Sequence, residues 1–151
     1  MVLITASSLF FFYERRPIML KKTISYKDYN GVERKEDFYF NLSRAEVLEM
    51  EASYVGGFAG MVEKIVAAED NETIFKVFKD MVLKAYGERT LDGKRFRKVD
   101  DNGRPLWIAF SETEAYSNLI MELATNTTSA IEFVNGILPG DMNSPNLAPV
   151  N

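Results

Sequence analysis

The first clear pattern of apolar and polar residues is a pair of alternating runs near the start of the chain. The runs KTISYKD and VERKEDFYF flank Tyr29-Asn30-Gly31, and an Asn-Gly pair between two such runs is typical of a β-hairpin. Two loop lengths are compatible with this sequence. A three-residue loop pairs Asp28 with Val32 and places Gly31 in the left-handed conformation, which glycine adopts without steric strain.

The loop length decides which side chains share a face of the hairpin. A two-residue loop divides the apolar residues between both faces, because paired residues lie on the same face. With the three-residue loop, one face carries the apolar side chains of Leu20, Ile24, Tyr26, Phe38 and Phe40. That loop also sets Lys27 opposite Glu33, which is an attractive cross-strand pair. We therefore predict the three-residue loop.

Beyond the hairpin, apolar residues recur every three or four positions, which is the spacing of amphipathic helices. Ser43 and Glu46 match a capping box that begins the first helix, and Gly56-Gly57 ends it. Further helices are predicted from Phe58 to about Ala68, from Asp70 or Asn71 to Tyr86 with Gly87 as the C-terminal glycine, from a second capping box at Ser111 and Glu114 to Leu123, and from Thr128 to Ile137. The predicted fold is α+β, a single domain with an N-terminal β-hairpin followed by about five short helices.

Between Glu88 and Pro105 the helical spacing stops. Asp92-Gly93 and Asn102-Gly103 are turn sequences, so we predict an excursion from the helical body that can form a short hairpin. This stretch concentrates positive charge in Lys94, Arg95, Arg97, Lys98 and Arg104. Such a cluster is either a solvated loop or an electrostatic site for a partner, and the solvated loop is the commoner case.

The composition argues against most kinds of catalysis. The 151-residue chain has no His and no Cys, so it lacks the commonest general base, a thiolate nucleophile and the usual zinc ligands. GERTLDGK has the wrong glycine spacing for a phosphate-binding loop, and the calcium-loop pattern around Asp100 lacks its final Glu. Glu112 and Glu114 fall in the first turn of a predicted helix, where carboxylates suit the helix dipole. We expect no catalytic residue, metal site or cofactor, and hence no enzyme.

The charge balance and the apolar runs bear on the partners. With 18 Lys and Arg against 22 Asp and Glu, the net charge is −4, whereas proteins that bind nucleic acid normally carry a basic excess. The apolar run from Val2 to Tyr13 is shorter than the roughly 20 residues that span a bilayer. The sequence therefore predicts neither a nucleic-acid partner nor a membrane partner, and the absence of cysteine suits a reducing cytoplasm.

The stretch FFFYERRPIMLKK raises the question of where the protein begins. Arg15-Arg16 can be encoded by AGGAGG, a bacterial ribosome-binding sequence, followed by a spacer of roughly six nucleotides before Met19. We interpret residues 1–18 as a misassigned leader, and a real, disordered N-terminal arm is the alternative. Residues 19–139 then form the hairpin-plus-helices domain. Pro139 stops the last helix, and residues 140–151 are a flexible tail.

Three stretches carry a resemblance to a known family. They are KKTISYKDYNGVERKEDFYFNLSRAEVLEME, IFKVFKDMVLKAYGERTLDGKRFRK and AFSETEAYSNLIMELA. Together they resemble the tail assembly chaperones of long-tailed phages and prophages of Gram-positive bacteria, between Met19 and Pro139. Residues 1–18 have no counterpart in that pattern, and DNGRPLWI lengthens the loop before Phe110.

The resemblance implies a binding protein of the host cell cytoplasm. Such chaperones coat the helical, aggregation-prone tape measure protein, recruit tail tube subunits and leave before the virion is complete. Self-association along this client is a further expectation, and in related systems a frameshifted longer form exists. A structural component of the virion, such as a head–tail connector or tail terminator subunit, is the alternative function.

Candidate contact residues are apolar side chains at positions that are otherwise polar. Leu83 and Met121 fall on the polar faces of predicted helices, and Trp107 falls in the predicted loop before Phe110. Met and aromatic side chains adapt to varied apolar partners. We predict that Leu83, Trp107 and Met121 contact the partner, although ordinary packing is the commoner role of such residues.

Overall fold

The computed structural model describes residues 19–67 and 71–140. The arm predicted at 1–18 and nearly all of the tail predicted at 140–151 lie outside these residues. The strands are β1 (Leu20–Lys27), β2 (Glu33–Phe40), β3 (Tyr86–Arg89) and β4 (Phe96–Arg97). The helices are α1 (Arg44–Ser53), α2 (Gly57–Ala67), α3 (Asn71–Ala85), α4 (Trp107–Ser111), α5 (Glu114–Thr125) and α6 (Thr127–Ile137). The predicted single α+β domain is confirmed, with one helix more than expected in the described residues.

The N-terminal hairpin has the predicted three-residue loop. The Asp28 N–H donates to the Val32 carbonyl at 2.9 Å, and Gly31 has a φ of 80°. Lys27 pairs with Glu33, as the register requires. The Asp28 carboxylate accepts the N–H groups of the turn and pairs with Arg34 at 2.6 Å. Its bond to Arg34, with the backbone donors of the turn, lowers the pKa of Asp28.

β1 forms one edge of the sheet, whose strand order is β1-β2-β3-β4. In an antiparallel pair, every second residue of a strand forms backbone hydrogen bonds with the partner strand. Asp28 is hydrogen-bonded to the β2 side, so the alternate residues of β1 direct their backbone N–H and C=O groups away from β2. The residues with outward-directed backbone groups are Lys21, Thr23, Ser25 and Lys27, and their side chains are exposed. The Asn118 amide of α5 donates to the outward carbonyl of Ser25 at 3.1 Å.

The core lies between the inner face of the hairpin and the helices. Phe40 is fully buried, and its ring packs edge-on against Tyr86, Phe110 and Phe133 at centroid distances of 5.8, 5.8 and 5.3 Å. Helices α5 and α6 both pack on β1. One apolar core therefore joins the hairpin to the C-terminal helices.

Polar side chains begin three of the helices. At α1 the capping box is confirmed, since the Glu46 N–H donates to Ser43 Oγ at 3.2 Å and the Ser43 N–H donates to the Glu46 carboxylate at 2.9 Å. The second capping box, predicted at Ser111 and Glu114, is wrong in its residues. Ser111 ends α4, and Thr113 caps α5 by accepting the Tyr116 N–H. Asn126 caps α6 in the same way.

Gly87 does not end a helix as predicted. It lies in β3 opposite Tyr39, where a Cβ atom would come within 2.4 Å of the Arg97 carbonyl and 2.5 Å of the Phe96 ring. Glycine is required here because β4 passes too close for a side chain. The predicted loop position of Trp107 is also wrong, since Trp107 is the first residue of α4.

Candidate partner-binding surface

Residues 86–106, which we call the excursion, leave the helical body between α3 and α4. Strands β3 and β4 pair antiparallel, with Arg89 opposite Phe96. The chain then turns again, and Val99 pairs with Pro105. The Leu106 N–H donates to the Lys98 carbonyl at 2.9 Å, immediately before α4 begins. The predicted short hairpin is confirmed, and it is followed by a second, smaller one.

Two aspartates fix the turns of the excursion. The Asp92 carboxylate accepts hydrogen bonds from the Thr90 hydroxyl at 2.6 Å and the Lys94 N–H at 3.0 Å. Both bonds lower the pKa of Asp92, and the bond from the Thr90 hydroxyl contributes most. The Asp100 carboxylate accepts the N–H groups of Asn102 and Arg104. Both carboxylates are therefore engaged within their own turns.

Lys98 anchors the excursion to the body of the protein. Its Nζ donates to the Asn41 carbonyl at 2.9 Å, to the Glu46 carboxylate at 3.0 Å and to the carbonyl of Lys84. Lys84 lies in the last turn of α3, where a cation satisfies free carbonyls and suits the helix dipole. Burial lowers the pKa of Lys98, while the bond to Glu46 opposes that shift.

The other cations of the predicted cluster differ in exposure. Arg97 is half-buried and forms a salt bridge with Asp101 at 2.9 Å. Lys94, Arg95 and Arg104 are exposed, and they form no salt bridge with any other residue that the structure describes. A groove of about 550 Å³ runs along this side and is lined by Arg95, Phe96, Arg97, Val99, Asp100 and Asp101.

Apolar side chains are also exposed in the excursion and at the start of α4. Val99 is 47% exposed, Trp107 38% and Ile108 40%. The pairing of Val99 with Pro105 brings the groove next to the start of α4, and the Ile108 N–H donates to the Pro105 carbonyl. Arg95 and Val99 line the groove, whereas Arg104, Trp107 and Ile108 are not among its lining residues.

The three predicted contact residues lie on three different helices. Trp107 is in α4, Met121 in α5 is 63% exposed, and Leu83 in α3 is half-buried. The three helices pack against one another. A role of these residues in binding stays a prediction. Val99 and Ile108 were not predicted as surface residues from the sequence. The alternation of Arg95, Arg97 and Val99 is nevertheless a signal that these three residues share one face of a strand.

A second groove, of about 410 Å³, opens where β3 diverges from β2, and it is lined by Met19, residues 36–39 and residues 86–89. Neither groove contains a His or Cys, since the chain has none. Across residues 19–67 and 71–140, no group of carboxylates is arranged to hold a metal ion. In the same ranges, every helix is too short or too polar to cross a bilayer.

A family model described as phage tail assembly chaperone matches residues 19–148, a span that contains every described element. No curated protein and no solved structure matches the chain.

Proposed function

Because the chain belongs to the phage tail assembly chaperone family, we propose that it binds the tape measure protein of its own phage and keeps that client soluble. It also helps to recruit tail tube subunits, and it leaves before the virion is complete. It acts by binding rather than by catalysis, in the cytoplasm of a Gram-positive host infected by a long-tailed phage. Several copies associate along one client.

The family match over residues 19–148 carries this proposal. Two features of the molecule support it. Large apolar side chains are exposed on separate elements, among them Trp107, Ile108 and Met121, and a chaperone needs such area to cover apolar helices of a client. The chain also has neither His nor Cys, which leaves few routes for catalysis.

Coexpression tests the proposal directly. The tape measure protein of the same phage is expected to aggregate when expressed alone and to stay soluble when this chain is present. Changing Leu83, Trp107 and Met121 together to Gln is expected to weaken the rescue. Val55→Gln is the matched control, because Val55 is 86% exposed and lies between α1 and α2.

Two results would overturn the proposal. One is a client that stays insoluble in the presence of the wild-type chain. The other is stoichiometric recovery of this chain from purified phage particles by mass spectrometry, which identifies a connector or terminator subunit instead. Because Leu83 is half-buried, thermal melting of the triple variant separates lost binding from lost folding, and Trp107→Gln with Met121→Gln repeats the test at exposed positions.

A further inference from the structure

We propose that the groove between β2 and β3 binds an extended, basic segment of a partner protein. The segment adds to the sheet as a strand along the free edge of β2, and its Lys or Arg side chains lie near Glu36 and Glu88. The inference deepens the proposed function and rests on it only in taking the partner to be a tail protein. The strand pairing, the shared face of the two glutamates and the charge of the groove each support it.

Strand β2 is paired along its whole length on one side and only at its end on the other. All eight of its residues pair with β1, whereas β3 pairs only with Tyr39 and Phe40. The Val32 carbonyl accepts the Asp28 N–H, so every second residue counted from Val32 bonds to β1 and the residues between direct their N–H and C=O groups away from it. Across residues 19–67 and 71–140, no strand pairs on that side with Glu33, Lys35 and Asp37.

This free edge of β2 runs into the groove. Asp37 lines the groove together with residues 86–89. After Gly87, β3 pairs with β4 instead of β2. An added strand would take the position beside β2 that β3 leaves open, and its backbone groups would bond to those of Asp37 and Lys35. Strand addition of this kind gives affinity through the main chain and specificity through alternate side chains.

Glu36 and Glu88 lie on the same face of the sheet, on the two strands that border the groove. Phe40 pairs with Tyr86, and successive side chains of a strand point to opposite faces. Counting by two from this pair places Glu36 on the same face as Glu88. The rings of Phe38 and Tyr86 lie 6.5 Å apart on that face, and both residues line the groove. Each carboxylate therefore adjoins an aromatic ring that the aliphatic stem of a Lys or Arg can cover.

The lining of the groove is acidic. It contains three carboxylates and one cation, a net charge of −2, and these residues are Glu36, Asp37, Glu88 and Arg89. None of the four forms a salt bridge with a residue that the structure describes. Glu36 accepts a hydrogen bond from the Tyr26 hydroxyl and Asp37 accepts one from the Thr23 hydroxyl. Because both donors are neutral, these bonds leave the negative charge of the groove in place.

The neighbouring groups agree with an acidic groove. The pKa of Tyr86 is raised, first by burial and then by the charges of Glu88 and Glu36, so both carboxylates act on the same ring. Arg34 is the next residue of β2 on this face, and it is held by the Asp28 carboxylate at 2.6 Å rather than by Glu36. Charge complementarity therefore favours Lys or Arg in the bound segment.

A second copy of this chain is the competing occupant, because a free edge can pair with an identical edge. The antiparallel register that uses all three free residues of β2 places Lys35 opposite Lys35 and Glu33 opposite Asp37. Like charges directly opposite each other are destabilising. A basic segment meets attraction instead of repulsion at the carboxylates of the groove, so we take a partner with Lys or Arg as the occupant.

Peptide binding to the full chain tests the inference. The probe is a short peptide in which Val and Lys alternate, and it carries a fluorophore so that anisotropy reports binding. A second peptide has Glu in place of Lys, and a third keeps the Lys residues but has Pro in place of Val, which prevents strand pairing. We expect the Val-Lys peptide to bind at least about tenfold more tightly than either of the others.

Amide hydrogen exchange locates the bound strand. The N–H groups of Lys35 and Asp37 should exchange more slowly when the Val-Lys peptide is present, because they then donate to its carbonyls. The N–H of Thr23, which points away from β2 at the other edge of the hairpin, is the internal control and should be unaffected.

Glu36→Gln combined with Glu88→Gln is expected to lower the affinity for the Val-Lys peptide about tenfold. The matched control is Glu49→Gln with Glu132→Gln, which removes the same charge from exposed positions of α1 and α6 and should leave the affinity unchanged. Thermal melting verifies that both double variants fold.

Equal affinity for the Val-Lys and Val-Glu peptides, or an equal loss in both double variants, overturns the inference. Equally tight binding of the proline peptide also overturns it, because charge then acts without an added strand. Protection of the Lys35 and Asp37 amides on concentrating the protein without peptide overturns it in favour of a second copy. Because the assay contains no tail protein, it gives its answer whether or not coexpression rescues the tape measure protein.

Discussion

Residues 19–67 and 71–140 contain two main hairpins that use the same turn chemistry and are held in place by different forces. In the β1–β2 hairpin an Asp and a Gly with positive φ close the loop, and one face is buried under α5 and α6. In the excursion the turns again use Asp and Gly, but β4 has only two residues and its neighbour Lys98 supplies the main anchor. Turn residues thus specify where a chain reverses, and burial or a single polar anchor decides how firmly the reversal is held.

Phe40→Ala should have the largest effect, because it removes a fully buried ring from the first hairpin. Loss of a buried aromatic side chain costs about 3–5 kcal/mol in the free energy of unfolding. Chemical denaturation measures this value. Phe96→Ala in the excursion is the matched change and should cost much less, since Phe96 is only half-buried. Equal losses would show that both hairpins rest on buried area.

Lys98→Met should have the next largest effect, because it removes the donor to the carbonyls of Asn41 and Lys84 and one of the donors to the Glu46 carboxylate. Hydrogen bonds made by a charged group contribute about 1.5–3 kcal/mol. Hydrogen exchange should show faster exchange across residues 86–106 than across the first hairpin. Lys94→Met, at an exposed position, is the control and should change neither quantity.

Gly31→Val should lower the stability of the whole domain by about 1 kcal/mol through backbone strain. The cost is conformational, since a Cβ atom at Gly31 would meet nothing within 4 Å. Gly103 has the same φ of 80° and the same open surroundings, so Gly103→Val imposes equal strain on the excursion. We expect a smaller change in Tm for Gly103→Val than for Gly31→Val. Identical changes in Tm would contradict the idea that the two hairpins contribute differently to the stability of the domain. Gly31→Asn tolerates positive φ and serves as the control.

Asp28→Asn should have the smallest effect, and it depends on pH. The pKa of Asp28 is lowered from 3.8, mainly by Arg34, so its carboxylate stabilises the folded state above pH 3.8 and loses that effect as the pH falls through the folded pKa. The wild type should therefore lose more stability than Asp28→Asn between pH 5 and acid pH, as measured by melting. Parallel pH profiles would rule out this role.

The first hairpin and the start of α1 could be predicted residue by residue, because their determinants lie close together in the sequence. Asp28, Gly31 and Val32 define the loop, and Ser43 and Glu46 define the cap. Gly87 shows that residues close in the sequence do not always suffice for the prediction. A glycine after a helical run is the usual sign of a helix end, and only the approach of Arg97 and Phe96 makes it a strand residue.

The candidate surface was predicted only in part. Trp107 was singled out, but α4 is too short for helical spacing to be visible around it. Lys98 was grouped with solvated cations, although its partner Glu46 lies 52 positions away in the sequence. Contacts over that distance depend on the packed fold, so sequence spacing cannot distinguish Lys98 from exposed Lys94.

The outer edge of β1 has a consequence for association with other protein chains. An unpaired edge is a template on which another extended chain can grow. Here the carbonyl of Ser25 is already bonded to Asn118, and exposed Lys21 and Lys27 flank it. An arriving strand would have to displace this amide. The sheet therefore ends at β1, and the domain resists becoming the seed of a fibre.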